Sequence, residues 1–320
     1  DVAHVQQQLD HYHELGVRVV FPVHKYDNAF TAGDGHRGII ELGNFINSGY
    51  YSNFVEDCPD IPPNYDHGDV TFAGLNQPRD EYQMSTPPVD VSGFTDDPVG
   101  TLMPLLEDLT SGPLEGDYCQ NAGLTPLGES LIHELMIRGM LIDIAHLPRR
   151  SLVRAMELFQ EADYPPISTH GNPVNGRVYQ TGGLSNSGFG RCADPDNPGA
   201  LTRRYEERLQ LIIDNGGYPA EGFSFDYNGF AHGPRPRFGD DSPCSTPQSN
   251  PVTYPFTSYA GDITFTEPHL GNRTVDFNYE GMIHFGLLPE LIQEARLDGM
   301  REEALEALFR SAEGYLRTWE

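Results

Sequence analysis

Residues 123–170, GLTPLGESLIHELMIRGMLIDIAHLPRRSLVRAMELFQEADYPPISTH, decide the fold class. Thr125 is placed to cap a helix, with Pro126 at the first helical position, where a missing N–H does no harm. Leu127, Leu131, Leu135 and Met136 then repeat at helical spacing up to Arg138, and Gly139 ends the pattern. MLIDIA is a continuous apolar run, read as a buried strand that ends at His146. Pro148–Gln160 is helical again, with Leu152, Met156 and Phe159 on one face, and PPIST is a second short strand ending at His170. Helices alternating with fully apolar strands predict an α/β fold around a parallel sheet.

The same alternation extends outward. Residues 5–15 read as a helix that feeds the strand GVRVVFPVH, ending at His24. A strand is expected within Arg177–Asn186. Ala200–Asp214 is a helix with Leu209, Ile212 and Ile213 as its apolar face, and GFSFD is a strand ending at Asp226. Helices near Leu288–Leu297 and Arg301–Trp319 close the chain. Residues 31–122 stand apart: they are dense in Gly, Pro, Asp, Asn and Tyr, and only Pro98–Thr110 has a helical look. So long an irregular stretch is expected to be a functional insertion or lid. No repeat or linker is visible, so residues 1–320 are expected to form a single domain.

Composition narrows the partners. The net charge of −27 argues against a broad surface for nucleic acid or anionic membrane. Aromatic residues at 11% supply ample core material, and no apolar run is long enough for a membrane span. Cys58, Cys119, Cys192 and Cys244 have no C-x-x-C pairing and lie in loop-rich sequence, as disulfide cysteines often do; their pairing is left open. With the sequon Asn272-Arg273-Thr274, this favours an exported location, secreted or periplasmic. The chain opens directly into a helix without a Met, and further residues are expected upstream.

The chemistry is carried by position. His24, His146, His170 and Asp226 each follow an apolar strand. In a (β/α) barrel the C-terminal strand ends converge on one rim, where active sites lie. His146 and His170 are one strand–helix unit apart, so they are expected on adjacent strands, facing the same rim. Two imidazoles and a carboxylate suit zinc or another borderline divalent cation. Asp226 is then placed to take a proton from water and pass it to a leaving amine. A lone histidine after a strand is more often a hydrogen-bonded loop residue, and an aspartate there can simply cap a helix. The joint pattern is what outweighs those readings.

At these residues the chain resembles the membrane dipeptidase-like enzymes, peptidase family M19 of the amidohydrolase superfamily. GLTPLGESLIHELMIRGMLIDIAHLPRRSL resembles the segment that carries a strand-end metal histidine, and PPISTHGNP resembles the next ligand strand. FSFDYNGF with GPRPRFG resembles the last barrel strand with its catalytic aspartate. GVRVVFPVHKYDNAF resembles the strand whose histidine contacts substrate, and GLLPELIQEARLDGMREEALEALFRSAEGYLRTWE resembles the closing helices. The blocks match in order and approximate spacing, over somewhat under half the chain.

The resemblance implies a partial (β/α)8 TIM-like barrel of the metal-dependent hydrolase type, with His146 and His170 as metal ligands. Asp226 would be the proton-transfer carboxylate, also touching metal. His24 would contact the substrate carbonyl, Arg177 would hold the substrate carboxylate, and Asn228 and Arg237 would shape the pocket. The family's first strand carries an H-x-D pair and a later strand a metal-bridging Glu; both precede the block where this chain starts. His67-Gly68-Asp69, in loop-rich sequence, is read as a chance match. The complete protein is therefore expected to hold two zinc ions, other divalent metals being possible, and this chain to be an N-terminally incomplete barrel. The expected activity is hydrolysis of a small amide or peptide bond, with a dipeptide as the first substrate. The alternatives are a non-catalytic binding or scaffold protein built on the barrel, or a lactonase or phosphotriesterase-like hydrolase.

Overall fold

A computed structural model describes residues 1–34, 43–44, 47–48, 52, 54–55, 57–61, 69–71, 95–97, 100, 110–113, 119–170, 176–194, 196–227 and 233–320. The described chain is a mixed α/β structure whose sheets are short and open. It divides into two compact units: Asp1–Ser168 with Asn172–Gly183 and Thr318–Glu320, and Thr169–Gly171 with Leu184–Arg317.

In the first unit, α1 (Val2–Glu14) leads to β1 (Val19–Val20). Two short antiparallel pairs follow, β2 (Phe54–Val55) with β5 (Cys119–Gln120), and β3 (Asp69–Thr71) with β4 (Thr110–Pro113). Then come α2 (Pro126–Ile137), β6 (Leu141–Ile142), α3 (Arg149–Ala162), β7 (Ile167–Ser168) and the short α4 (Arg177–Gln180). β1 and β6 pair in parallel, Val19 opposite Leu141, and a parallel bridge from Asp143 to Ile167 adds β7. The expected parallel sheet is thus present, in strands shorter than the apolar runs that announced them.

The start of α2 forms as its sequence dictates. The Thr125 hydroxyl accepts from the Gly128 N–H at 3.0 Å and Pro126 opens the first turn. Gly139, at φ +61°, releases the chain into β6 through a conformation that side chains disfavour. Ile132, Leu135, Met140, Leu141, Ile142, Met156, Phe159 and Ile167 are all buried. Each such side chain contributes roughly 1.5–3 kcal/mol of transfer free energy. The pair Cys58–Cys119 links the segment after β2 to β5.

The second unit holds β8 (Leu184–Ser187), α5 (Arg203–Asp214) and β9 (Gly222–Phe223), with β8 and β9 parallel and Asn186 opposite Gly222. The hairpins β10 (Phe256–Thr257) with β11 (Thr264–Phe265), and β12 (His269–Leu270) with β13 (Arg273–Thr274), follow. The unit closes with α6 (Phe277–Glu280), α7 (Leu288–Asp298), α8 (Glu302–Phe309) and α9 (Ser311–Trp319). Its core joins Tyr205 and Leu209 of α5 to Ala304, Leu305 and Leu308 of α8, and Phe189 and Phe223, stacked on each other at 5.3 Å, pack against it. Cys192 pairs with Cys244 in this unit. Two disulfides are compatible with an extracellular location. Among the described residues no helix is long and apolar enough to cross a membrane.

Several expectations are corrected in detail. The strand before His24 stops at Val20, because Pro22 cannot donate to a ladder and leaves His24 in a loop. The strand expected somewhere in Arg177–Asn186 is present as β8 from Leu184, after a helical turn at Arg177–Gln180. The last predicted helix breaks at Arg310 into α8 and α9. Most of Pro98–Thr110 lies outside the described residues, as do His67 and Gly68; Asp69 opens β3.

Glu221, which precedes β9, is fully buried, and neither carboxyl oxygen makes a well-formed hydrogen bond. Burial pushes its pKa up to about 8, against the smaller opposing pull of the Ser187 hydroxyl and of Arg208 and Arg204. The folded state therefore holds this proton more tightly than the unfolded chain between the ordinary glutamate range and pH 8. Its stabilising effect is complete below that range and is lost as pH rises to about 8, at up to about 1.4 kcal/mol per pH unit. Glu221→Gln is expected to flatten this fall in urea-unfolding free energy; parallel pH profiles for the two proteins would refute the assignment.

Candidate metal and hydrolytic site

His146 follows β6, where the apolar run ends and the chain turns into α3. Its φ is 66°, and that of Asp226 after β9 is 57°. Left-handed backbone at a residue other than glycine costs about 1–2 kcal/mol and is held by its surroundings; it recurs at functional positions. Asp163, also left-handed, only ends α3. His146 and Asp226 end no helix; nor does Asn250, which is also left-handed, in the loop before β10.

The His146 ring is 2% exposed. Its Nδ1 lies 2.8 Å from Oδ2 of Asp34, a buried carboxylate that also receives Lys25 Nζ at 3.0 Å. The His24 ring meets it edge-on, with centroids 4.3 Å apart. The two histidines each offer a ring nitrogen within 4.8 Å of the other's. In the second unit His170 and Asp226 come together, Nε2 to Oδ1 at 3.5 Å, and the Asp226 carboxylate is 66% exposed. Ser224 steadies this pair of segments by donating its hydroxyl to Thr169 O at 3.2 Å.

The loop after His24 is built to hold these groups. Gly33 donates its N–H to Asp27 Oδ1 at 2.8 Å, and a Cβ on Gly33 would stand 2.2 Å from Lys25 O, so only glycine lets the strands of this loop touch. Thr31 bridges to Leu124 and shares a hydroxyl contact with Ser151 at 2.7 Å. Thr125 donates to Ala29 O at 2.8 Å. The cap of α2 and the first turns of α3 thus anchor the segment that carries His24, Lys25 and Asp34.

The remaining candidates are placed differently. Arg177 is exposed at the first position of α4. Asn228 lies outside the described residues. Arg237, expected to shape the pocket, is instead a buried brace: its Nε donates to Glu294 Oε1 at 2.6 Å, and its Nη atoms reach Gln248 and Asn250. Asp34 and Lys25 were not anticipated. Asp34 sits in the Gly-Asp-Gly opening of irregular sequence, and no period or strand end marks it.

The donor set fits a divalent cation of borderline softness. Imidazole nitrogens suit it, and a ligand histidine almost always gives its other ring nitrogen to a carboxylate or carbonyl, as His146 does to Asp34.

No family model and no curated protein matches the chain. Among solved structures it is similar to an amidohydrolase from Pseudomonas aeruginosa, with 13% identity and a TM-score of 0.34, over 62% of this chain. The chain spans 57% of that protein's length.

Proposed function

We propose that the chain is part of a metal-dependent hydrolase of the amidohydrolase type, membrane dipeptidase-like, that cleaves a small amide or peptide bond. One observation carries the reading: a buried histidine in left-handed backbone in the turn between β6 and α3, paired through Nδ1 with a buried carboxylate and flanked by a second imidazole. In this reading the chain is one hydrolase domain on a partial (β/α) barrel, and residues 31–122 roof its pocket. His146, His170 and Asp226 are the proposed metal-binding residues, and zinc is the first choice of metal. A divalent cation so held brings the pKa of bound water down towards 7.

The chain's own residues supply the rest. Asp226, exposed and within 3.5 Å of His170, accepts a proton from water and delivers it to the leaving amine. His24 is the exposed member of its pair and donates an N–H to the oxygen on which charge develops. Arg177 pairs with a substrate carboxylate, and Asn228 contacts substrate. A dipeptide is the first substrate to try.

Elemental analysis of the complete protein tests the assignment. His146→Ala and His170→Ala are each expected to lose metal from one site; unchanged metal content in both would end the metal reading. His24→Ala is expected to keep its metal and lose turnover. Loss of metal there would instead make His24 a ligand, as its closeness to His146 allows.

A further inference from the structure

We infer that Asp34 is a positioning residue that sets which nitrogen of His146 faces the metal; this rests on the reading of His146 as a ligand. A carboxylate can only accept a hydrogen bond, so the 2.8 Å contact places the imidazole proton on Nδ1. The lone pair of Nε2 is then the one offered to a cation, and a neutral imidazole with that tautomer is ready to coordinate without shedding a proton.

Three features make Asp34 suited to this task. It is 3% exposed, so the hydrogen bond is not shared with bulk water. Lys25 Nζ lies 3.1 Å from Oδ1 and 3.0 Å from Oδ2, which occupies the carboxylate and keeps it from swinging out to become a ligand itself. The loop that presents it is clamped on both sides: Asp27 N donates to Asn44 Oδ1 at 2.8 Å, Gly33 N donates to Asp27, and Asn28 Nδ2 donates to Pro22 O at 2.9 Å. The group that orients the metal ligand thus comes from the opening residues of the long 31–122 segment.

The experiment uses the complete protein, 15N-labelled and stripped of metal by chelator, with His146→Ala to assign the ring signals. Two-bond 1H–15N correlation reads the tautomer, and competition with a chromophoric chelator reads zinc affinity. Wild type is expected to show the Nδ1–H form. Asp34→Ala is expected to move His146 towards the Nε2–H form and to weaken zinc binding roughly 10–100-fold. Asp34→Asn keeps an acceptor oxygen and is expected to hold the Nδ1–H form, with a smaller loss of affinity. An Nε2–H signal in wild type overturns the inference, and so does an unchanged tautomer and affinity in Asp34→Ala. Should Asp34→Ala fail to fold, Asp34→Asn decides alone: unchanged zinc affinity would overturn the inference. A tautomer shift in Asp34→Ala combined with full zinc content in His146→Ala would reject His146 as a ligand while leaving the hydrogen bond's action on the ring intact.

Discussion

Asp226→Asn is expected to lower turnover roughly 10²–10⁴-fold while metal content stays near that of the parent protein. The substitution is well matched to its position. Asn tolerates the left-handed backbone that Asp226 adopts at φ 57°, so the loop after β9 should keep its course. The side chain keeps its size and can still meet His170 Nε2, 3.5 Å from the native Oδ1. What it loses is the ability to accept a proton. A large fall in kcat with KM nearly unchanged is therefore the expected signature, because the missing step lies in the transition state and not in ground-state binding. Wild-type turnover would remove Asp226 from the mechanism, and concurrent loss of metal would move it from proton transfer to ligation.

Arg237→Ala is expected to destabilise the second unit by about 3–5 kcal/mol, because it strands a buried charge. Arg237 is 3% exposed and Glu294 on α7 7%. Burial pushes the Glu294 carboxyl up from its ordinary range, and the guanidinium beside it pulls it down. Removing the guanidinium leaves burial unopposed and also takes a donor from the Asn250 carbonyl, while Gln248 Oε1 keeps the Ala193 N–H. The deficit should shrink at acid pH, where Glu294 is neutral in both folded and unfolded chains, and grow as pH rises. Arg237→Met with Glu294→Leu replaces both charges by apolar groups of similar length and is expected to recover most of the loss. Urea-unfolding midpoints of the single and double variants read the effect. A loss below about 1 kcal/mol in Arg237→Ala would show that the ion pair is already well solvated.

The two outcomes separate what a strand-end reading can find from what it cannot. Asp226 stands out because an apolar run stops at it; in the structure β9 ends at Phe223, and Asp226 lies in the loop beyond it, 3.5 Å from His170. Arg237 is singled out only by the resemblance, in the loop GPRPRFG that continues from the last matching strand. Nothing in the local pattern distinguishes a pocket arginine from one folded back on a helix far along the chain. Helix α2 was legible nearly to the residue, since its cap, its proline and its terminal glycine are all local signals. The apolar run before His24 reads as one strand up to that histidine, yet its ladder ends at Val20, two residues before Pro22. Asp34 gave no signal, since its role is a single contact with a residue more than a hundred positions away.

Sequence alone determined the α/β alternation, the helix boundaries around α2 and α3, and the presence of imidazoles and a carboxylate just after apolar runs. Those features depend on spacing within one turn or one strand, which the order of residues carries directly. Only the tertiary structure decided the Cys58–Cys119 and Cys192–Cys244 pairings, the pairing of His146 with Asp34 and His24, and the fate of Arg237. Each of these is a contact between segments far apart in the chain, made when burial forces polar groups to find partners, and neither periodicity nor composition encodes which partner is found.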